Sequence, residues 1–514
     1  MSVSDELPIE EVGPPQVHEA HDHALRKGTI GLLGIVFFVV AAAAPMAGLT
    51  GVLPVMVLLG NGAGAAGAYV VVGILLLLFG VGYAAMSGYM THAGAFMAYV
   101  GRGLGTSWGV ASAYASVLAY NAVQLCVYGF FGAVVAGQFA TDFGLDMPWY
   151  VYSLIALVVI QVLAILRVDV GARVLGVLLT LEMLTLIITG IAVLFQGGGP
   201  EGINVAASFA PSSIFSGAPG IAFAFAFASF IGFEATAIYG EESKDPKKTV
   251  PRATYAAIIA ITLLFGIVSF GVISAYGASN VQQAVLDTTS VDGTPLVNPA
   301  GFLFTAATDY VGAWMATLMG WLLLTSLFAA LLAFHNAAAR YFYTMGRSGL
   351  LPAKLGTTSP RFRTPVAASV TQSILAVVVI LLFVAFNLDP VLNLFYWGSG
   401  MAVIAINIVQ ALVCLAVIKF FRDTKYDTNV WRTVIAPILG FLGILIGEYL
   451  LMSKFALIAG TAAEGSDPTT QDWALNSTGW IIVLLPFVVF VIGLLVGISR
   501  RGKDNSAMVE EILT

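Results

Sequence analysis

The polar residues of this chain that could do chemistry stand isolated in apolar surroundings. Glu234 sits in "FASFIGFEATAIYG" and Glu182 in "LLTLEMLTL". A carboxylate near the centre of a bilayer costs about 2.5–3.5 kcal/mol on insertion scales, so it normally faces a cavity, a partner or a proton path. Asn121 and Gln124, three apart in "YNAVQL", share one helix face. They are candidates either for a bound solute or for an interhelical hydrogen bond. Thr325 and Ser326 are adjacent hydroxyls of the kind hard cations take. His335, beside Asn336, suits a proton relay or satisfied packing. Tyr396 and Trp397, next to Gly398 and Gly400, suit either a cation–π surface for an ammonium group or an anchor at the membrane interface. The chain has no HExxH, paired-aspartate metal motif or Walker-type glycine loop. No enzyme, ATP-driven pump, nucleic-acid partner, metal or cofactor is therefore expected. The His21-Asp22-His23 triplet reads as part of a solvated tail, because no further ligands lie near it.

The elements that must position these residues are membrane helices. Of the 514 residues 59% are hydrophobic and 10% charged, with a mean hydropathy of +0.93. That leaves too little polar surface to cover a soluble globule. Apolar runs repeatedly reach the roughly 20 residues a bilayer-spanning helix needs. Twelve spans can be laid out, near 29–59, 64–86, 106–138, 148–166, 173–196, 213–240, 253–276, 301–338, 365–386, 391–421, 431–453 and 477–499. With these boundaries 21 of the 22 Lys and Arg residues fall on one face and Lys454 alone on the other. One span added or dropped would destroy that asymmetry, so both termini are expected in the cytoplasm and the protein in the plasma (inner) membrane. Residues 1–27 and 500–514 read as cytoplasmic tails flanking a membrane-embedded domain at 28–499. Cys126 and Cys414 fall inside apolar runs and read as small buried hydrophobes.

Two spans look interrupted. The first, 31 residues, would be about 46 Å as one straight helix, well beyond the hydrocarbon thickness. Its middle, "AAAAPMAGLTG", holds Pro45, Gly48 and Gly51. The sixth carries Gly220 ahead of Gly232 in "ASFIGFE". These spans open two five-helix halves, about 29–196 and 213–421, and since five is odd the second half runs inverted; two extra helices follow at about 431–499. Interrupted helices at matching positions of inverted halves mark a midplane binding site in secondary transporters. Exposed backbone is tolerated in a membrane only where it lines a cavity. A channel would instead show pore-lining rings.

"SFIGFE" followed by "EESKDPKKTVPRA", and "ARYFYTMGRSGLLP" with "SPRFRTPV", resemble the sixth-helix and eighth-helix loop motifs of the amino acid, polyamine and organocation (APC) permeases of bacterial type. The resemblance covers about residues 28–421. It implies an all-α fold of two inverted five-helix repeats plus two C-terminal helices, the LeuT-like APC fold. It also implies alternating access, with an amino acid or small amine moved by proton symport or by exchange. By the same resemblance Ala44, Pro45, Met46, Ala47 and Gly48 would contact substrate. Pro45 departs from the family's G-S-G-like segment and removes one N–H donor, so an amine lacking a carboxylate competes with an amino acid as substrate. Phe227, Ala228, Ser229, Ile231 and Gly232 would face the site, Ala228 standing where similar exchangers place an aromatic gate. Asn121, Gln124, Tyr396 and Trp397 would complete it. Glu182 stands where several members carry a Lys that substitutes for sodium, and is expected to be the proton-coupling group. Glu234 is expected to couple the two halves of the sixth helix across its break. Sodium is the alternative to protons; counting back from "GRSGLLP" puts Ala329 and Ala330 at its expected place, with Thr325 and Ser326 a turn or more away. Glu448 and Lys454 receive no role, and the oligomeric state is left open.

Overall fold

The computed structural model describes residues 31–90, 95–166, 171–234, 236 and 243–500. His21, Asp22, His23, Arg26, Lys27, Arg167, Glu241, Glu242 and residues 501–514 lie outside the described residues.

The principal helices are α1 (Leu32–Ala43), α2 (Ala65–Ser87), α3 (Thr106–Phe143), α4 (Trp149–Leu166), α5 (Gly171–Phe195) and α6 (Pro219–Phe230). They continue with α7 (Pro246–Tyr276), α8 (Ala313–Arg347), α9 (Val366–Ala385), α10 (Tyr396–Thr424), α11 (Ala436–Ser453) and α12 (Ser477–Ser499). Among the described residues no strand forms beyond two isolated bridges, Val291 with Thr294 and Ala462 with Leu475. Ten helical segments among the described residues are long and apolar enough to cross a membrane. The expected count of twelve therefore meets a structure that divides the chain differently. The run Leu32–Ser87 covers the first two expected spans as one segment, turning at Gly60–Gly62, where Gly62 has φ 58°. α6, at 12 residues, is too short to cross alone.

The outward faces follow from residue spacing. On α12, Ile481, Leu484, Val488, Val491 and Leu495 recur every three or four residues and stay exposed. Ile374, Val378 and Leu381 do the same on α9, and Ile155, Val158 and Val162 on α4. Continuous apolar stripes of this extent are tolerated against lipid, not water. The opposite faces pack inward, with α3 central against α8, α10 and α12. Charge gathers at the helix ends. Lys419 pairs with Asp423 at 2.8 Å and Arg432 with Asp427 at 3.0 Å, while Lys454, at the other end of α11, pairs with Asp472 at 3.0 Å.

Two helices stop short inside the bundle. α1 ends at Ala43, and Ala44 adopts φ 43°, ψ 69° before winding resumes at Pro45. A proline disfavours the helical conformation of the residue before it and brings no N–H of its own, so the break falls one residue ahead of Pro45. α6 ends at Phe230; Ile231 is extended at ψ 128° and Gly232 has φ 113°. A Cβ at Gly232 would lie 2.8 Å from the Ala42 Cβ, so the two breaks face each other at van der Waals distance. Gly232→Ala is expected to destabilise the fold by about 1–3 kcal/mol, since this backbone region is nearly closed to L side chains. Gly137→Ala on α3, where a Cβ meets nothing within 4 Å, serves as control and should be neutral or slightly stabilising. Thermal unfolding of the two variants in detergent checks this.

Candidate functional site

The break in α1 strands backbone groups that a regular helix would pair. The Met46 N–H, which continuous winding would give to the Ala42 carbonyl, is donated instead to Glu182 Oε1 of α5 at 2.6 Å. Ser326 Oγ of α8 donates to the same oxygen at 2.8 Å. Glu182 is 2% exposed, so its carboxyl joins α5, α8 and the first break in a buried knot. Thr50 Oγ1 donates to the Met46 carbonyl at 2.8 Å and Tyr69 of α2 to the Gly48 carbonyl at 3.1 Å. Ser326 thus lies closer to the break than counting along the chain suggests. Its neighbour Thr325 donates to Leu322 O of its own helix at 2.9 Å.

The break after α6 is closed by its own carboxylate. The Gly232 N–H is donated to Glu234 Oε2 at 3.0 Å, and the Tyr120 hydroxyl of α3 to Oε1 at 2.8 Å. Tyr83 of α2 donates to the Glu234 carbonyl at 2.8 Å. Glu234 is fully buried. Both carboxyls therefore do the same physical work: each accepts an N–H that its helix break leaves without a carbonyl, and each adds a hydroxyl from a neighbouring helix.

Between the breaks lies a cavity of about 50 Å³. Six expected site residues line it: Ala44, Ala47, Gly48, Ala228, Ser229 and Ile231. The other walls come from residues not expected to contact substrate: Val123, Cys126 and Val127 of α3, Leu327, Ala330 and Phe334 of α8, and Phe395 and Ser399 at the start of α10. The lining is completed by Ala42, Ala43 and Val52. Its polar side chains are Cys126, Ser229 and Ser399, with Ser399 Oγ donating to Cys126 Sγ at 3.4 Å and Ser229 Oγ to Phe225 O at 3.0 Å.

The remaining expected site residues lie outside this lining. Met46 and Pro45 sit on the Glu182 side of the break, and the Phe227 ring packs over Gly447 of α11. Gly232 is turned to Ala42. Asn121 donates to Val117 O of its own helix at 2.7 Å. Gln124 contacts His335 Nδ1 at 3.3 Å and accepts from Gln372, while His335 Nε2 meets Ser369 at 2.8 Å. These residues build a polar seam joining α3, α8 and α9. On α3, at roughly 100° per residue, the mean direction of Val123, Cys126 and Val127 lies more than a quarter turn from that of Asn121 and Gln124, although Val127 is only three residues beyond Gln124. Their spacing was the available signal. The Tyr396 hydroxyl approaches Gly51 O at 3.5 Å, and Trp397 Nε1 donates to Ala459 O at 2.8 Å, which ties α10 to the segment after α11. Glu448 accepts from Asn407 Nδ2 at 3.0 Å, linking α11 to α10.

The sequence as a whole matches known proteins. A family model described as amino acid permease matches residues 34–508. The serine/threonine exchanger SteT of Bacillus subtilis is 24% identical over 403 residues, which cover 77% of this chain and 84% of the relative. The branched-chain amino acid permease BcaP of Lactococcus lactis is 27% identical over 341 residues, 62% of this chain and 68% of the relative. The low-affinity putrescine importer PlaP of Escherichia coli is 28% identical over 182 residues, 35% of this chain and 36% of the relative. With the family model spanning nearly the whole chain, this protein belongs to the amino acid permease family, whose members are membrane transporters and not enzymes.

Proposed function

We propose that the chain is a secondary active transporter that moves a small amino acid or amine across the plasma membrane by alternating access, with protons as the coupling ion. Residues 29–196 and 213–421 act as two inverted repeats, residues 431–499 supply two further helices, and both termini lie in the cytoplasm. The observation that carries this reading is the cavity that lies between two helix breaks facing each other. A solute held there contacts the first and sixth spans at once, so its binding biases how the two halves sit against each other. Its wall residues Ala44, Ala47, Gly48, Ala228, Ser229 and Ile231 are the substrate contacts, with Cys126 and Ser399 added to them.

Glu182 is the coupling group in this account. As a carboxylate it accepts both the Met46 amide and the Ser326 hydroxyl; a proton on that oxygen displaces one of the two donors and loosens the break from α5 and α8. Ala330, at the place counted for a sodium-ligating hydroxyl, presents only a methyl group to the cavity, which favours protons over sodium. Exchange of one substrate for another is the second reading, favoured by the likeness to the serine/threonine exchanger.

In proteoliposomes carrying a pH gradient, Glu182→Gln is expected to lower gradient-driven uptake about tenfold or more, within the range of ordinary coupling free energies. Counterflow without a gradient should be largely kept. Unchanged gradient-driven uptake removes Glu182 from the coupling. Glu234 serves as the gating link. Tyr120→Phe, which strips a donor from its buried oxygen, should cost about 1–3 kcal/mol of stability. In a double-mutant cycle with Glu234→Gln, thermal unfolding should return a coupling of about 0.5–3 kcal/mol.

A further inference from the structure

We infer that the cavity selects small, electrically neutral amino acids and rejects cationic, anionic and diamine solutes. The inference rests on the transport reading above and narrows it to a substrate class. Its first support is charge. Among the described residues the lining contains no Asp, Glu, Lys, Arg or His. The two carboxyls bonded to the breaks, Glu182 and Glu234, are outside the lining and are engaged by the Met46 and Gly232 amides and by the hydroxyls of Ser326 and Tyr120. His335 is held between Gln124 and Ser369. A lysine or arginine side chain, or the second ammonium of a diamine, would enter this space as a buried charge with no counter-ion, and a glutamate side chain would meet no cation. A single ammonium is different. Ala42 and Ala43 end α1 at the cavity wall, and the amide that would pair the Ala42 carbonyl has been diverted to Glu182. The last carbonyls of a helix suit a positive group.

The second support is size. Taking about 10–15 Å³ of such cavity volume and about 30 Å³ of liquid volume per water, the space accommodates about four waters, or roughly 120 Å³ of solute. That is the scale of alanine to valine. The walls that set it are small or branched apolar residues, with Ala44 and Ala47 from the first break, Ala228 from α6, Val123 and Val127 from α3 and Ala330 from α8. An indole ring does not fit without displacing them.

The test is counterflow by the full-length protein in proteoliposomes, with labelled alanine, valine, lysine, glutamate, putrescine and tryptophan measured in parallel. Alanine and valine are expected to exchange, and the other four to exchange about tenfold more slowly or worse. Lysine, glutamate, putrescine or tryptophan exchanging as fast as alanine overturns the selectivity while leaving transport intact. Failure of every solute to exchange overturns the transport reading itself. Ser399→Asp, which adds a carboxylate to the wall, is expected to make lysine or putrescine exchange. A folded Ser399→Asp protein that still rejects both contradicts the charge argument, and the wild-type panel stands independently of that variant.

Discussion

In a bilayer no water is at hand for a backbone N–H that has lost its helical partner, so each break in a membrane helix must be answered by a group from the protein itself. Here the answer at both breaks is a buried carboxyl. Glu182 comes from a different helix and Glu234 from two residues further along the same chain, yet each takes one amide and one hydroxyl. These two contacts satisfy the amides left where α1 and α6 stop, and the stopping points bound the cavity. Each carboxyl also brings in neighbours, Ser326 of α8 for one and Tyr120 of α3 for the other. A change at either carboxyl is thereby felt by the helices that wall the site.

The composition of the cavity follows from the same constraint. Because the strongly polar side chains near the breaks are occupied with backbone, the wall itself can be built of alanine, valine and phenylalanine. On the transport reading proposed above, polar recognition falls to peptide groups, which are fixed in position and add no side-chain entropy cost when a solute binds. The seam of Gln124, His335, Ser369 and Gln372 lies behind this wall. It holds α3, α8 and α9 together, as interhelical hydrogen bonds do where lipid offers no hydrophobic drive between helices. Glu448 with Asn407 ties α11 to α10 in the same manner.

Much of the fold was legible because bilayer physics leaves few options. Composition and run lengths require membrane helices, and Pro45 places the first break within a residue because a proline acts on the residue before it. Gly232 marks the second break through its positive φ. Gly48 and Gly51, which look like parts of the first break, have another role: a Cβ at either would fall within 3.0 Å of the Phe265 or Phe395 ring. The site was less legible. Asn121 and Gln124 attract notice as polar residues on one face, but in a membrane polar side chains seek each other and the backbone, and the cavity face of α3 is the apolar one. The place of Ser326 against Glu182 depends on the axial register of α8, which counting along a 35-residue helix does not fix to within a turn. Among the described residues the count of membrane-length helices differs from the span layout because a tight glycine turn joins two expected spans and because α6 stops after 12 residues.

The central claim is that a small solute is held between two helix breaks, each closed by a carboxyl. A density map of the purified protein saturated with a neutral amino acid tests it most directly. The account expects density for that solute between Ala44, Ile231 and Cys126, with Glu182 on the Met46 amide and Glu234 on the Gly232 amide. Solute density elsewhere, or α1 and α6 wound through as unbroken helices, would contradict it.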